Sequence, residues 1–506
     1  MDGSRVVAPS QCRSIGYNPV MNQPAGSSMH PEIPRGIRLA TRVAALSLGA
    51  IASVVAIRAV AIGAHEPLAS LAERPDWWLG CVPFALLLLA LAVVPLVAPL
   101  EHWWERNTSK LAFSCLMGLA ALAWMAWRTD GATALSAAAH GATEYVPFIV
   151  LLLSLYVIAG GVQLEGSLQG TTSTNLALLA SGAVLANLLG TTGASMLLIR
   201  PLLQANRQRK HQVHTVVFFI FIVSNVGGCL LPIGDPPLFL GYLRGVPFLW
   251  TLSLWKAWLI TVGALLAVYA MVDRRMQRDE THRPTPGPTA LRVRGWRSVS
   301  LLLLAVMVVA FVQPGRPLMR WMPPPLAREG VLLLLAGASV GFEPWGVRTK
   351  RGFSLAPMGE VAAVFAGIFL AMQVPLAVLE SRGSTLGLDS PMRLFWWTGG
   401  LSSVLDNAPT YLVFMGVARS VTLQAAGPET VLLADGGWIR GDLLTGVSLG
   451  AVFLGAMTYI GNGPNLMVRA IASGAGVRMP GFGGYMLWSI GLLLPVLAFA
   501  SWLCLG

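Results

Sequence analysis

Apolar runs recur along the whole chain at close to the length that carries a helix across a hydrocarbon core of about 30 Å. They cover residues 78–100, 108–127, 145–164, 213–240, 248–271, 298–313, 327–343, 357–379, 443–467 and 483–505. Only 11% of the residues are charged and 55% are hydrophobic, against about a quarter charged in a typical soluble domain. These runs predict an all-α polytopic membrane protein. The formal net charge of +12 does not point to nucleic acid, because the arginines gather in loops between runs, as orientation by the positive-inside rule requires. Cys12, Cys81, Cys115, Cys229 and Cys504 are scattered without CxxC or Cys/His spacing. No disulfide framework, transition-metal site or cofactor is expected.

Residues 1–34 are rich in Pro, Ser, Gly and Asn without periodicity and read as a disordered cytoplasmic tail. Residues 35–64 place a basic flank before an Ala-rich apolar stretch, as in a first transmembrane helix or a signal-type segment. Either reading starts the next span, at about residue 78, on the outside.

Alternate crossings can be checked against loop charge. The stretch 174–199 starts inside at "QLEGSLQG" and ends at the strongly basic "RPLLQANRQRKHQ", which also belongs inside. It is therefore predicted to be a re-entrant hairpin with its tip at Gly190 to Gly193, since irregular backbone at membrane depth survives only against protein or a wet cavity. By the same count, 394–418 is a second hairpin opening from the opposite face, and "RTDGATALSAAAHGATE" is an outside loop. Arg316, Arg320 and Arg328 fit less well, falling in a loop assigned outside.

Two halves align. "ANLLGTTGASM" (186–196) matches "SSVLDNAPTYL" (402–412), and "PIGDPPLFL" (232–240) matches "YIGNGPNLM" (459–467). The helices before them are flanked by Glu144 and Glu165 in one half and by Glu360 and Glu380 in the other. The reading is an inverted-topology repeat, each copy with a re-entrant hairpin and a broken transmembrane helix. Repeat 1 spans 78–271, a basic cytoplasmic linker 272–297, and repeat 2 298–506. Such repeats are the architecture of secondary transporters, not of enzymes.

The chemistry sits at the breaks. Pro236 and Pro237 lack N–H donors and clash with the preceding turn, and Gly234 lets the chain turn there. Asp235, at the break, is an ionisable group inside an apolar segment and by default a functional candidate. In the other half Gly461, Gly463 and Pro464 make the break beside Asn462 and Asn465, while Asp406 lies at the hairpin tip with Asn407, Pro409 and Thr410. Thr191, Thr192, Ser195 and Asn225 add oxygen atoms. Carboxylate, amide, hydroxyl and carbonyl oxygens suit a small hard cation, so Na+ at Asp235 and Asp406 is the expected occupant. Hydroxyls here also serve simply to satisfy freed backbone groups, and Asn225 reads equally as a helix-packing amide. The four Glu residues read as interfacial. His140, His211, His214 and His282 read as loop residues.

"SNVGGCLLPIGDPPLFLGYLRGVPFLWTL", "LDNAPTYLVF" and "TYIGNGPNLMVRAIA" resemble the NhaD-type bacterial sodium:proton antiporters, of the ion transporter superfamily that includes citrate and dicarboxylate carriers. The resemblance covers roughly residues 78–506. It implies exchange of Na+ or Li+ for H+ across the bacterial inner membrane, with binding where hairpin tips meet helix breaks. The partners it implies are Na+, H+ and the lipid bilayer, with a homodimer left open. The alternative is a citrate or dicarboxylate carrier, since half-helix N-termini hold carboxylates without Arg. An intramembrane aspartyl protease is disfavoured because Pro232 stands where its GxGD signature needs the first Gly.

Overall fold

The computed structural model describes residues 67–104, 106–166, 168–277, 292–312, 326–350, 353–424, 429–434 and 436–506. The N-terminal tail, the 35–64 segment, Cys12, His282, Arg316 and Arg320 lie outside the described residues. What is described is almost wholly helical, and several helices are long and apolar enough to cross a membrane.

The first half runs α1 (Trp77–Val93), α2 (Asn107–Arg128), α3 (Gly131–Ala159), the short strand β1 (Gln163–Glu165), α4 (Thr172–Ala205), α5 (Val213–Ile222), α6 (Pro236–Leu243) and α7 (Trp255–Gln277). The second half follows strand β2 (Arg292–Arg294) with α8 (Trp296–Phe311), α9 (Ala327–Phe342), α10 (Ala356–Ala371), α11 (Gln373–Arg382), α12 (Pro391–Ser402), α13 (Asn407–Gln424), α14 (Gly441–Leu454) and α15 (Gly463–Gly474). The chain closes on α16 (Phe482–Leu505). The expected span 357–379 is a pair, α10 and α11, bent by 50°.

One expected loop is helix. Residues 131–144 form the first turns of α3, because Asp130 caps them by accepting the Thr133 N–H at 2.6 Å. The Ala-rich run that follows has the best intrinsic helix propensity. His140 therefore lies on α3, and His214 lies buried on α5, not in loops.

The two halves pack through small residues. A Cβ on Gly367 of α10 would lie 2.1 Å from the Ser114 carbonyl of α2, a backbone approach that only glycine permits.

Among the described ion pairs and strand pairings, some join segments expected at the basic face and others join segments expected at the opposite one. At the basic face, Lys110 pairs with Glu360 and β1 pairs with β2. There the buried Asp273 also meets Arg209 at 2.8 Å, His214 at 2.7 Å and Thr172 at 2.6 Å. At the opposite face, Arg128 pairs with Asp76, Arg244 with Glu144 at 2.7 Å, and Arg419 with Glu380 at 4.0 Å. Arg328 is no exposed loop charge: it is buried in the first turn of α9 and donates to Glu329 and to the Tyr242 hydroxyl.

Candidate functional site

Helix α4 is interrupted at Gly190, whose φ of 72° and ψ of 156° are open to glycine and strained for other residues. Its two ends meet at one face, where Asn175 and Asn206 exchange amide hydrogen bonds of 2.9 and 2.8 Å. Residues 172–205 thus enter and leave on the same side. In the second half, residues 403–406 separate α12 from α13, and α14 and α15 are parted before Asn462. The break between α5 and α6 is wider than the Gly-Asp-Pro-Pro motif alone. Regular α-helix stops at Ile222, and a 3₁₀ turn at Val226–Cys229 intervenes.

Each hairpin tip is bonded to the break of its own half in the same way. The Thr191 N–H donates to the Gly234 carbonyl at 2.8 Å, and the Asn407 N–H to the Gly461 carbonyl at 3.2 Å. Thr191 aligns with Asn407, and Gly234 with Gly461. The turns beneath also correspond: a Cβ on Gly234 would lie 2.3 Å from the Gly228 carbonyl, and one on Gly461 2.6 Å from that of Gly455.

All four irregular segments meet at Asp235, which is 1% exposed. Its Oδ1 accepts from Thr191 Oγ1 at 2.9 Å and Asn462 Nδ2 at 3.2 Å, and its Oδ2 accepts from Asn407 Nδ2 at 2.7 Å. Asn462 also donates to Asn225 Oδ1 at 3.1 Å, and Asn225 in turn donates to Asn465 Oδ1 at 2.8 Å. Asn465 closes the network on the Gly455 and Thr458 carbonyls, both at 2.9 Å. A buried carboxylate needs such donors, because an unpaired one is too costly to keep at this depth.

The structure does not present Asp235 and Asp406 as equals. Asp235 is enclosed by amides and a hydroxyl. Asp406 is half-buried, stands immediately before α13 and faces a cavity. Other expected site residues serve locally. Ser195 shares a 2.8 Å hydrogen bond with Ser224, and Thr410 donates to the Asp406 carbonyl one turn back at 3.0 Å. Thr192 lines the cavity, while Pro236, Pro409, Gly463 and Pro464 occupy first turns of helices. None of the four interfacial Glu residues lines the cavity. Ser224, whose carbonyl accepts from Asn462 at 3.1 Å, was missed by sequence reasoning. Its adjacency to Asn225 just before a Gly pair was the available signal.

The cavity beside Asp235 has a volume of about 80 Å³. Its polar wall comprises Gly190, Thr191, Thr192, Asp406 and Asn462, and Phe148 and Phe365 close its apolar side. A larger cavity of about 350 Å³ shares Tyr156 and Gly193 with it and lies toward the basic face.

Helices broken at membrane depth, re-entrant hairpins bonded to them, and a buried polar network where they meet define a polytopic membrane transporter. Residues 72–505 match the family described as "Putative citrate transport", and the chain belongs to that family. The match supports an ion and citrate transporter family and does not single out NhaD-type antiporters within it. Comparison with curated proteins finds no match.

Proposed function

We propose that the chain is a secondary carrier for a citrate-class polycarboxylate, moved together with a coupling cation across the bacterial inner membrane. The observation that carries this reading is the convergence of helix N-termini on one cavity. Helix α6 begins at Pro236, α13 at Asn407, α15 at Gly463, and the second arm of α4 at Thr191. Each N-terminus contributes roughly half a positive charge, which favours a carboxylate without Arg or Lys. The family assignment agrees with this substrate class.

In this reading Asp235 fixes both hairpin tips and the second break in one register. Its charge and that of Asp406 oppose a polyanion in the cavity, and a co-bound cation or proton relieves that opposition. Coupling follows, because anion and cation bind better together than apart. Residues 78–271 and 298–506 act as inverted repeats joined by 272–297, and rocking of the hairpin-bearing region gives alternating access.

A second reading, exchange of Na+ or Li+ for H+ at Asp235 and Asp406, has its own support. No Lys or Arg lines the 80 Å³ cavity, whereas Asp406 does. Asn407 Oδ1 is a buried acceptor without a partner among the described residues, which a hard cation would satisfy.

The test is uptake of labelled citrate into proteoliposomes under imposed Na+ or pH gradients, with an internal pH dye read in parallel without citrate. The carrier reading predicts gradient-dependent citrate accumulation. Na+-evoked proton flux with no citrate uptake would replace it with the exchanger.

A further inference from the structure

We propose that the 350 Å³ cavity toward the basic face is a second, separate carboxylate-binding site, a vestibule in which Arg200 engages the polycarboxylate on its way to or from the cavity beside Asp235. The inference rests on the carrier reading and extends it.

Three observations support it. The first is position. The wall combines Tyr156 and Gly160 at the end of α3, Gln163 of β1, and Gly193, Met196 and Arg200 on the second arm of α4. Because Tyr156 and Gly193 also line the central cavity, the two spaces adjoin. Arg200 lies nine residues beyond Thr191, about 14 Å along the helix, so a carboxylate at Arg200 is not at the central site.

The second is size. A volume of about 350 Å³ falls within the range of roughly 300–1,000 Å³ usual for small-molecule sites. The central cavity, at about 80 Å³, is tight for a six-carbon tricarboxylate in this conformation.

The third is charge, which is reversed between the two cavities. The central wall has Asp406 and no basic residue, whereas the vestibule wall has Arg200 and Arg348 and no acid. Arg348 is fully buried and donates to the Val157, Ser339 and Glu343 carbonyls and to Ser339 Oγ. It is thus anchored across the C-terminal ends of α3 and α9 and contributes a fixed positive potential. Arg200 is exposed at the rim, where a planar guanidinium suits a carboxylate.

The experiment measures citrate half-saturation of the full-length protein in inside-out and right-side-out vesicles, for wild type, Arg200→Gln and Arg200→Lys. Loss of a charge-assisted hydrogen bond predicts about a tenfold rise in half-saturation for Arg200→Gln from the Arg200 side only. The maximal rate and the half-saturation from the opposite side stay within about twofold, and Arg200→Lys recovers only part of the affinity, because the ammonium keeps the charge but not the planar fork. Wild-type citrate transport with unchanged half-saturation in Arg200→Gln, or an equal rise from both sides, overturns the vestibule and leaves the carrier reading standing. Absence of citrate flux in wild type overturns both.

Discussion

Thr191 and Asn407 stand at aligned positions in two hairpin tips and donate to different oxygens of one carboxylate, Asp235, at 2.9 and 2.7 Å. Their backbone N–H groups bond aligned carbonyls, those of Gly234 and Gly461. The shared carboxylate therefore couples the two tips energetically, although they lie more than two hundred residues apart in sequence.

That coupling is measurable. Thr191→Val and Asn407→Leu each remove one donor from a buried carboxylate, at a cost of about 1–3 kcal/mol apiece. The double variant is expected to depart from additivity by at least about 0.5 kcal/mol. Thermal unfolding of the four proteins in one detergent checks this, and strict additivity would mean that the tips do not share Asp235.

The break geometry gives a contrast between two glycines. Gly234→Ala drives a methyl to 2.3 Å from the Gly228 carbonyl, whereas a Cβ on Gly463 meets nothing within 4 Å. Gly234→Ala should cost several kcal/mol and lower folded yield sharply, while Gly463→Ala stays within about 1 kcal/mol. Monodisperse yield and melting temperature compare them directly.

The site was legible in sequence to the extent that helix breaking and charge are local properties. Gly234, Pro236 and Pro237 cannot continue a helix, and an Asp beside them in an apolar run needs partners. The aligned motifs placed Thr191, Asn407 and Asn462 among the candidate residues, but as oxygen ligands of a cation and not as donors to Asp235. What stayed hidden depends on tertiary context. Nothing local shows that Asp235 is enclosed while Asp406 faces a cavity, because burial is set by which segments pack above each tip. The early start of α3 was hidden by weak hydropathy in "TALSAAAHGA", which is poor evidence for a span but good material for a helix. Arg348 read as one more basic loop residue, yet it is buried on the carbonyls of α3 and α9.

Asp406 should separate stability from coupling. It immediately precedes α13, at the N-cap position, where Asn and Asp serve about equally well. Asp406→Asn is therefore expected to leave the melting temperature within a few degrees while flattening the dependence of transport on the coupling cation. Rates measured across a cation titration would show it, and an unaltered cation dependence would remove Asp406 from coupling.

An ion pair closes the contact between α3 and α6 at the face opposite the vestibule. Arg244, which caps α6, places Nε 2.7 Å from Glu144 Oε1 and donates from Nη2 to Oε2 at 2.9 Å. Since Glu144 lies on α3, the pair joins the second half of the broken helix to a neighbouring span. Arg244→Gln should weaken this closure and shift molecules away from the conformation open toward the basic face. The readout is thiol labelling of Met196→Cys, a residue of the vestibule wall, from that face in a background without native cysteines. A roughly two- to fivefold slowing is expected for the loss of about 0.5–1 kcal/mol.

In the proposed carrier, Asp235 is the hub through which both halves move a polycarboxylate. Counterflow tests it most directly: proteoliposomes loaded with unlabelled citrate are diluted into trace labelled citrate, with wild type and Asp235→Asn at matched folded amounts. Asn puts an amide among Thr191, Asn407 and Asn462, all of which donate to Asp235, so one donor there must lose its acceptor. Wild type is expected to accumulate label transiently, and Asp235→Asn to lose this by about a hundredfold or more in rate. Equal accumulation by the folded variant, or none by wild type, would contradict that role of Asp235.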